Sequence, residues 1–221
     1  MSLHIGSNNI VDIRRGSTKI AKVYHGSDLV WGYIPGQVLF ESSTAQTTTL
    51  YVKCRCKLSF ILVGGGGGGA RAAGSSQQLG NQNACAGGGS GAYVYGTKEF
   101  TAGTYTIVVG AVGETQNYGS FRSGTAPSGG NSSFGGQIAN GGSGGYVTGG
   151  LGANAATAGT GGEAVYSSGL NGINGNKGTE KAYSGYDTGA GIGGTSVYGG
   201  YGKGGNSDAN GTNGYVKIVA V

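Results

Sequence analysis

Few residues of this 221-residue chain are of types that do covalent or metal chemistry, and their spacing decides what they can do. The cysteines are Cys54, Cys56 and Cys85, an odd set that makes a poor disulfide framework. Cys54 and Cys56 stand two apart in a β-type run, and no other Cys or His completes a zinc spacing, so the three read as buried free thiols. His4 and His25 fall in an N-terminal stretch of short β-type runs and read as structural or surface residues. The nine carboxylates are scattered, so a polysaccharide-cleaving pair would have to be assembled entirely by folding. Gly64, Gly66 and Gly69 form a G-x-G-x-x-G after a β-type run, but no helix pattern follows and residues 81–91 hold no acid for a ribose. Asp187 and Asp208 are the only aspartates beyond residue 64, which excludes calcium-binding glycine–aspartate repeats. The sequence therefore offers no catalytic, cofactor-binding or metal-ligating set, and the expectation is a protein that is not an enzyme.

Tyrosine carries the other chemistry. Of fourteen tyrosines, eleven follow Val63, and Tyr118, Tyr146, Tyr166, Tyr183, Tyr186, Tyr198 and Tyr201 sit among glycine and small polar residues. A tyrosine offers a large contact area and a hydroxyl at low entropic cost, and Gly, Ser and Asn make adaptable surroundings, which is the composition of binding loops. These seven are the candidate receptor-binding residues, able to stack on sugars or pack on a protein. The alternative is that the rings cover glycine backbone that has no side chains of its own. The segment KAYSGYDT at 181–188 joins two of the tyrosines to charge.

The elements that must position them divide at Val63/Gly64. The apolar run at 58–63 is a buried-strand pattern. Six glycines follow, which neither helix nor strand sustains. Five of the 53 glycines precede this junction. Further strands are expected at 37–42, from 48 through 63, at 104–109 and at 215–221, with a tight hairpin over 131–139 and no helix. The runs at 58–63, 104–109 and 215–221 are expected to form the core. Within the glycine tract, Gly169, Gly172, Gly175 and Gly178 recur every third residue, as do Gly142/Gly145 and Gly159/Gly162. That is the period of a polyproline-II helix, in which a side-chain-free face lets neighbouring backbones approach and hydrogen-bond. Two prolines exclude collagen, and a 10% charged content with many tyrosines argues against disorder or a plain flexible linker.

Gly-Ser pairs at 6, 16 and 26 punctuate short β-type runs, a ten-residue repeat that reads as a small β-meander. It is too small for a core of its own. Tyr24 and Trp31 are therefore the candidate anchoring interface to other proteins or to another copy. The net charge of +5 is dispersed except for Lys53, Arg55 and Lys57, which alternate along one expected strand face. Without a basic patch interleaved with aromatics, nucleic acid is not an expected partner. No run reaches the ~18 apolar residues of a membrane helix. The first residues lack a secretory pattern, so synthesis in a cytosol is expected.

The runs FILVGGGGGG (60–69), TAGTYTIVVG (101–110), GNSSFGG (130–136) and GYVKIV (214–219), in that order, resemble the glycine-rich domains of bacteriophage tail and fibre proteins. The N-terminal KIAKVYHGSDLVW (19–31) is similar to short β segments of phage tail proteins. The resemblance extends to the fibre-tip adhesins of T-even-type phages, which stack glycine-rich polyproline-II helices and recognise hosts through distal loops. This chain departs from them in its shorter period-three runs and higher strand content. The resemblance implies a virion structural or receptor-binding part, made in the host cytoplasm, released by lysis and held in an oligomer or larger assembly. The expected fold is all-β: a glycine-rich β-sandwich with polyproline-II-like segments over 37–221, preceded by an anchoring meander over 1–36. A self-assembling fibre or filament is the alternative.

Overall fold

Alternation of apolar and polar residues builds the body of the protein. The computed structural model describes residues 4–5, 8–9, 13–20, 22–25, 28–73, 83–120, 122–148, 155–182 and 191–221. Along the strand Cys56–Val63, Leu58, Phe60 and Leu62 turn to one side and are buried, as a period of two requires. This strand is the centre of an antiparallel sheet in the order Asn171–Ile173, Tyr93–Phe100, Cys56–Val63, Tyr215–Ala220, Val38–Ser42. A second antiparallel sheet runs Ala164–Val165, Gln137–Ala139, Ser132–Phe134, Gly103–Val109, Gln46–Val52.

The inner faces join in one core. Leu58, Phe60, Leu62, Val94, Phe100, Val216 and Ile218 from the first sheet meet Val52, Ile107, Val109, Phe134 and Ala139 from the second. Phe134 lies 6.0 Å from Phe60 and 4.9 Å from Phe100, centroid to centroid, which ties the two sheets together. The architecture is an all-β sandwich with no helix among the described residues. Of the three strands expected to form its core, two pair in the first sheet and Gly103–Val109 lies opposite them. The 131–139 hairpin closes through Gly135 and Gly136, both at positive φ, the two-residue turn in which glycine has no Cβ to strain.

One expected strand is divided. The run from 48 to 63 bends at 53–55, where the chain crosses from one sheet to the other. Lys53, Arg55 and Lys57 therefore do not share a strand face. The Lys53 ammonium lies 4.8 Å from the Tyr33 ring centroid, and Arg55 makes a two-pronged bond to Glu99 at 2.6 and 2.7 Å. None of the three cysteines is in a disulfide, and Cys54 and Cys85 are buried. A hydrogen bond from Cys56 holds the Cys54 thiol down at about 7 and pushes Cys56 up.

Near the N-terminus, pairs His4–Ile5/Asn8–Asn9, Arg14–Arg15/Thr18–Lys19 and Val23–His25/Asp28–Trp31 form three separate two-stranded hairpins ten residues apart. The second closes at Gly16-Ser17, with Gly16 at φ +64°. Ile13 and Val23 pack on the sandwich core.

Beyond Val63 the period of packing changes from two to three. A Cβ on any of residues 64–69 would fall within 3.0 Å of a neighbouring backbone oxygen: Asn140 and Ser143 for Gly64 and Gly67, Ala111 and Glu114 for Gly65 and Gly68, Lys203 and Asn206 for Gly66 and Gly69. Three directions, each repeating every third residue, describe a three-per-turn helix. Its amides donate to Ala92, Gly130, Thr212, Gly89 and Pro127 in turn, and its carbonyls accept from Gly142, Gly113, Gly205, Gly145 and Gln116, at 2.8–3.1 Å. The hexaglycine is thus surrounded by six backbone segments.

Residues 87–92 form a second such centre. They bond to segments at 64–67, 140–143, 159–162, 176–179, 202–205 and Gly194. The spacing read at Gly175 and Gly178 belongs to this layer, since both face backbone oxygens, as do Gly142/Gly145 and Gly159/Gly162. The spacing read at Gly169 and Gly172 does not. Gly169 is a positive-φ turn, and Gly172 lies in a strand under the ring of Tyr166.

Candidate functional site

Each crossing of the glycine layer connects the sandwich to a thinner structure at the opposite end. There Gln116–Ser120, Ala70–Ala73, Asn83–Ala86 and Glu180–Ala182 form one sheet, and Gly124–Thr125, Tyr146–Val147 and Ala156–Thr157 another. Their shared core is made of Ala70, Ala72, Ala84, Ala86, Ala126 and Val147, small side chains that keep the backbones close.

The layer's outer rim follows the same period of three. Exposed residues recur at Ala111/Glu114, Thr160/Glu163 and Ile192/Thr195 with more sheltered residues between them, and at Asn174/Lys177, where Gly175 is sheltered and Asn176 exposed. A side chain on every third position of a peripheral helix occupies the site where another helix would dock. The glycine content of each segment thus reports how many neighbours it has.

The sequence-selected tyrosines divide among several places. Tyr118 lies in the strand Gln116–Ser120 with its ring over Gly124, and its hydroxyl donates to the Thr125 carbonyl at 2.5 Å. Tyr166 covers Gly172 while remaining 45% exposed. Tyr146 is exposed at the remote end. Tyr183 and Tyr186 fall outside the described residues, as do the side chains of Tyr24 and Trp31, whose backbones lie in the third N-terminal hairpin.

Tyr198 and Tyr201 belong to a larger constellation on the outer face of the first sheet. Gly199 and Gly200, at φ +57° and +84°, make a two-residue turn closed by Tyr201 N–H donating to the Tyr198 carbonyl at 3.0 Å. This turn places both rings among three tyrosines of the sheet. Tyr95 stacks on Tyr93 at 4.6 Å, Tyr93 on Tyr198 at 4.8 Å, and Tyr201 on Tyr215 at 4.3 Å, with Tyr198 and Tyr215 6.1 Å apart. The interplanar angles run from 8° to 26°, so the five rings form a ladder.

At one end of the ladder the Tyr215 hydroxyl donates to Glu41 Oε1 at 2.6 Å, and Lys217 sits 3.1 Å from the same carboxylate. Burial, then the Glu41 carboxylate, pushes the Tyr215 phenol well above its ordinary range. The Tyr215 bond and then Lys217 hold Glu41 below its own. Burial also raises Tyr93. Tyr93, Tyr95 and Tyr215 are not among the tyrosines that the sequence singles out. The signals that mark them are the i, i+2 pair Tyr93/Tyr95, which must share a face, and Tyr-Gly-Gly-Tyr at 198–201, whose turn puts both rings on one side.

A family model described as a glycine-rich domain matches residues 41–219. The chain belongs to this glycine-rich domain family. The match starts within the first sandwich strand Val38–Ser42 and ends within the last, Tyr215–Ala220, so the family unit includes both the sandwich and the glycine layer. No curated protein matches the chain.

Proposed function

We propose that this chain is a non-enzymatic part of a bacteriophage virion, a tail or fibre-tip protein that is both structural and receptor-binding. The observation that supports the reading is the end of the glycine layer remote from the sandwich, a pair of small sheets on an alanine-rich core where Tyr146 stands exposed. A layer of mutually hydrogen-bonded backbone separates that end from the sandwich. Tyr146 at this end, with Tyr183 and Tyr186, which follow the strand Glu180–Ala182 in sequence, contact a host-surface protein or glycan. The N-terminal hairpins, through Tyr24 and Trp31, attach the sandwich to other tail proteins or to copies of the chain. Synthesis in the host cytoplasm and release by lysis complete the reading.

The rival reading, a self-assembling fibre, draws support from Val38–Ser42 and Gln46–Val52, which are edge strands of their sheets among the described residues. Against it stand the exposed side chains at every third rim position, which block sideways growth of the glycine layer. Immunogold labelling of particles from the producing culture tests the proposal. Label on tails is the expected result, and label on cell-surface filaments with bare particles contradicts it. Tyr183→Ala with Tyr186→Ala is expected to abolish attachment at an unchanged melting temperature.

A further inference from the structure

Tyr201 borders a cleft of about 470 Å³ at the seam between the sandwich and the glycine layer. The other lining residues are Ser43, Val112, Gly199, Gly200, Gly211, Thr212 and Asn213. We propose that this cleft binds an uncharged saccharide against the end of the tyrosine ladder.

Four observations carry the proposal. First, the lining mixes one aromatic ring with small polar groups and backbone, and its size falls within the usual range of small-molecule sites. Second, none of its residues is ionisable at neutral pH, which favours a neutral ligand over a phosphate, a sialylated sugar or a nucleic acid. Third, donors and acceptors stand ready there. Among the described residues neither Ser43 Oγ nor the Asn213 amide NH₂ has a protein partner, nor does the Tyr201 hydroxyl. By contrast Asn213 Oδ1 accepts from Val112 N–H at 2.8 Å, and Thr212 Oγ1 accepts from Lys203 N–H at 2.9 Å. Those bonds fix the cleft wall and leave the remaining groups for a ligand.

Fourth, the wall is built around Tyr201. Gly199, Gly200 and Gly202 all have positive φ, and Ser196 Oγ donates to the Tyr201 carbonyl at 2.5 Å. Stacking on Tyr215 then fixes the ring. An immobilised ring loses little entropy when a sugar packs its C–H groups against it, and the nearby hydroxyl and amide supply the directional bonds that a polyol needs.

The cleft lies away from the remote end of the layer, so the inference does not depend on the virion reading and would hold for any member of the fold with these residues. The test is titration of the ¹⁵N-labelled full chain with maltotriose, cellotriose, mannotriose and galactotriose, with sialyllactose as the charged comparator. Saturable shifts at Gly200, Tyr201, Thr212 and Asn213 with at least one neutral trisaccharide are expected. Tyr201→Phe keeps the stack and Ser43→Ala removes an exposed hydroxyl with no protein partner, so both variants retain the fold. Each is expected to weaken binding by roughly three- to tenfold, the loss of one hydrogen bond. Absence of a saturable shift with every neutral sugar overturns the proposal. So do tighter binding of sialyllactose and unchanged affinity in both variants.

Discussion

The sandwich and the glycine layer solve the same problem with opposite materials. Both must offset the cost of ordering a backbone. In the sandwich, side chains such as Phe60, Phe134 and Ile218 exclude water, and the backbone pairs only within each sheet. In the layer the side chains are missing, and residues 64–69 and 87–92 are instead surrounded by hydrogen-bonded backbone. Each glycine also turns a Cα hydrogen toward a neighbouring carbonyl, a weak contact repeated at nearly every position. The two regions differ accordingly in what they tolerate. A sandwich accepts another side chain of similar volume, whereas the layer has no room for one methyl group.

Perturbations of the two regions sharpen this contrast. The largest effect is expected from deleting residues 215–221, which removes a strand paired on both sides in the first sheet. The truncated chain should show no cooperative thermal transition, and a normal melt would mean that the sandwich does not depend on that strand. Phe134→Ala should cost about 3–5 kcal/mol in chemical denaturation, because the ring bridges the sheets. Gly67→Ala adds a single methyl facing the Ser143 carbonyl and should cost roughly 1–3 kcal/mol or more. Glu114→Gln, on the exposed rim, should stay under roughly 0.5 kcal/mol. Equal costs for these last two would erase the distinction between centre and rim.

A finer comparison separates two glycines that look alike in sequence. Gly175→Ala meets the Ser90 carbonyl, which is backbone and cannot yield. Gly172→Ala meets chiefly the Tyr166 ring, which is 45% exposed and can swing aside, and more mildly the Ala164 Cβ at 2.8 Å, for which the strand must shift by a few tenths of an ångström. The first should lower the melting temperature clearly more than the second.

The smallest effect is electrostatic. The Tyr215 phenol is raised in the folded protein by burial and by Glu41, so its contribution to stability is complete below about pH 10, the unfolded value. It is lost as pH rises through the higher folded value. Ultraviolet titration should show Tyr215 ionising after the exposed tyrosines, and Glu41→Gln should bring it earlier. The depressed Glu41 works in the other direction, contributing above its unfolded value and losing that contribution as pH falls through the folded one.

Much of the sandwich was legible because its strands are local and alternate: Phe60, Ile107 and Ile218 announce themselves. The bend at 53–55 was not, since Lys53, Cys54, Arg55 and Cys56 alternate like a strand and the crossing is set by which sheet each half joins. The layer was half legible. Period three marked Gly142/Gly145, Gly159/Gly162 and Gly175/Gly178, but the neighbours are remote in sequence, so nothing local distinguished them from Gly172 beneath a tyrosine. For the same reason the six glycines at 64–69 read as a break in the chain, although they are the centre around which other segments pack. In the ladder, Tyr198 and Tyr201 stood out against glycine. Tyr93, Tyr95 and Tyr215 did not stand out, because they lie among β-type residues such as Val94 and Val216 rather than against glycine and small polar residues.

Native-state hydrogen exchange tests most directly whether the layer is held by its backbone. The amides of Gly65, Gly67, Gly88 and Gly89 all donate to carbonyls within the layer at 2.9 Å. They should exchange as slowly as the amides of Phe60 and Ile218, opening only with global unfolding. Exchange of those glycine amides at the rate of an exposed loop, while Phe60 and Ile218 remain protected, would show that the glycine tract is not a hydrogen-bonded layer at all.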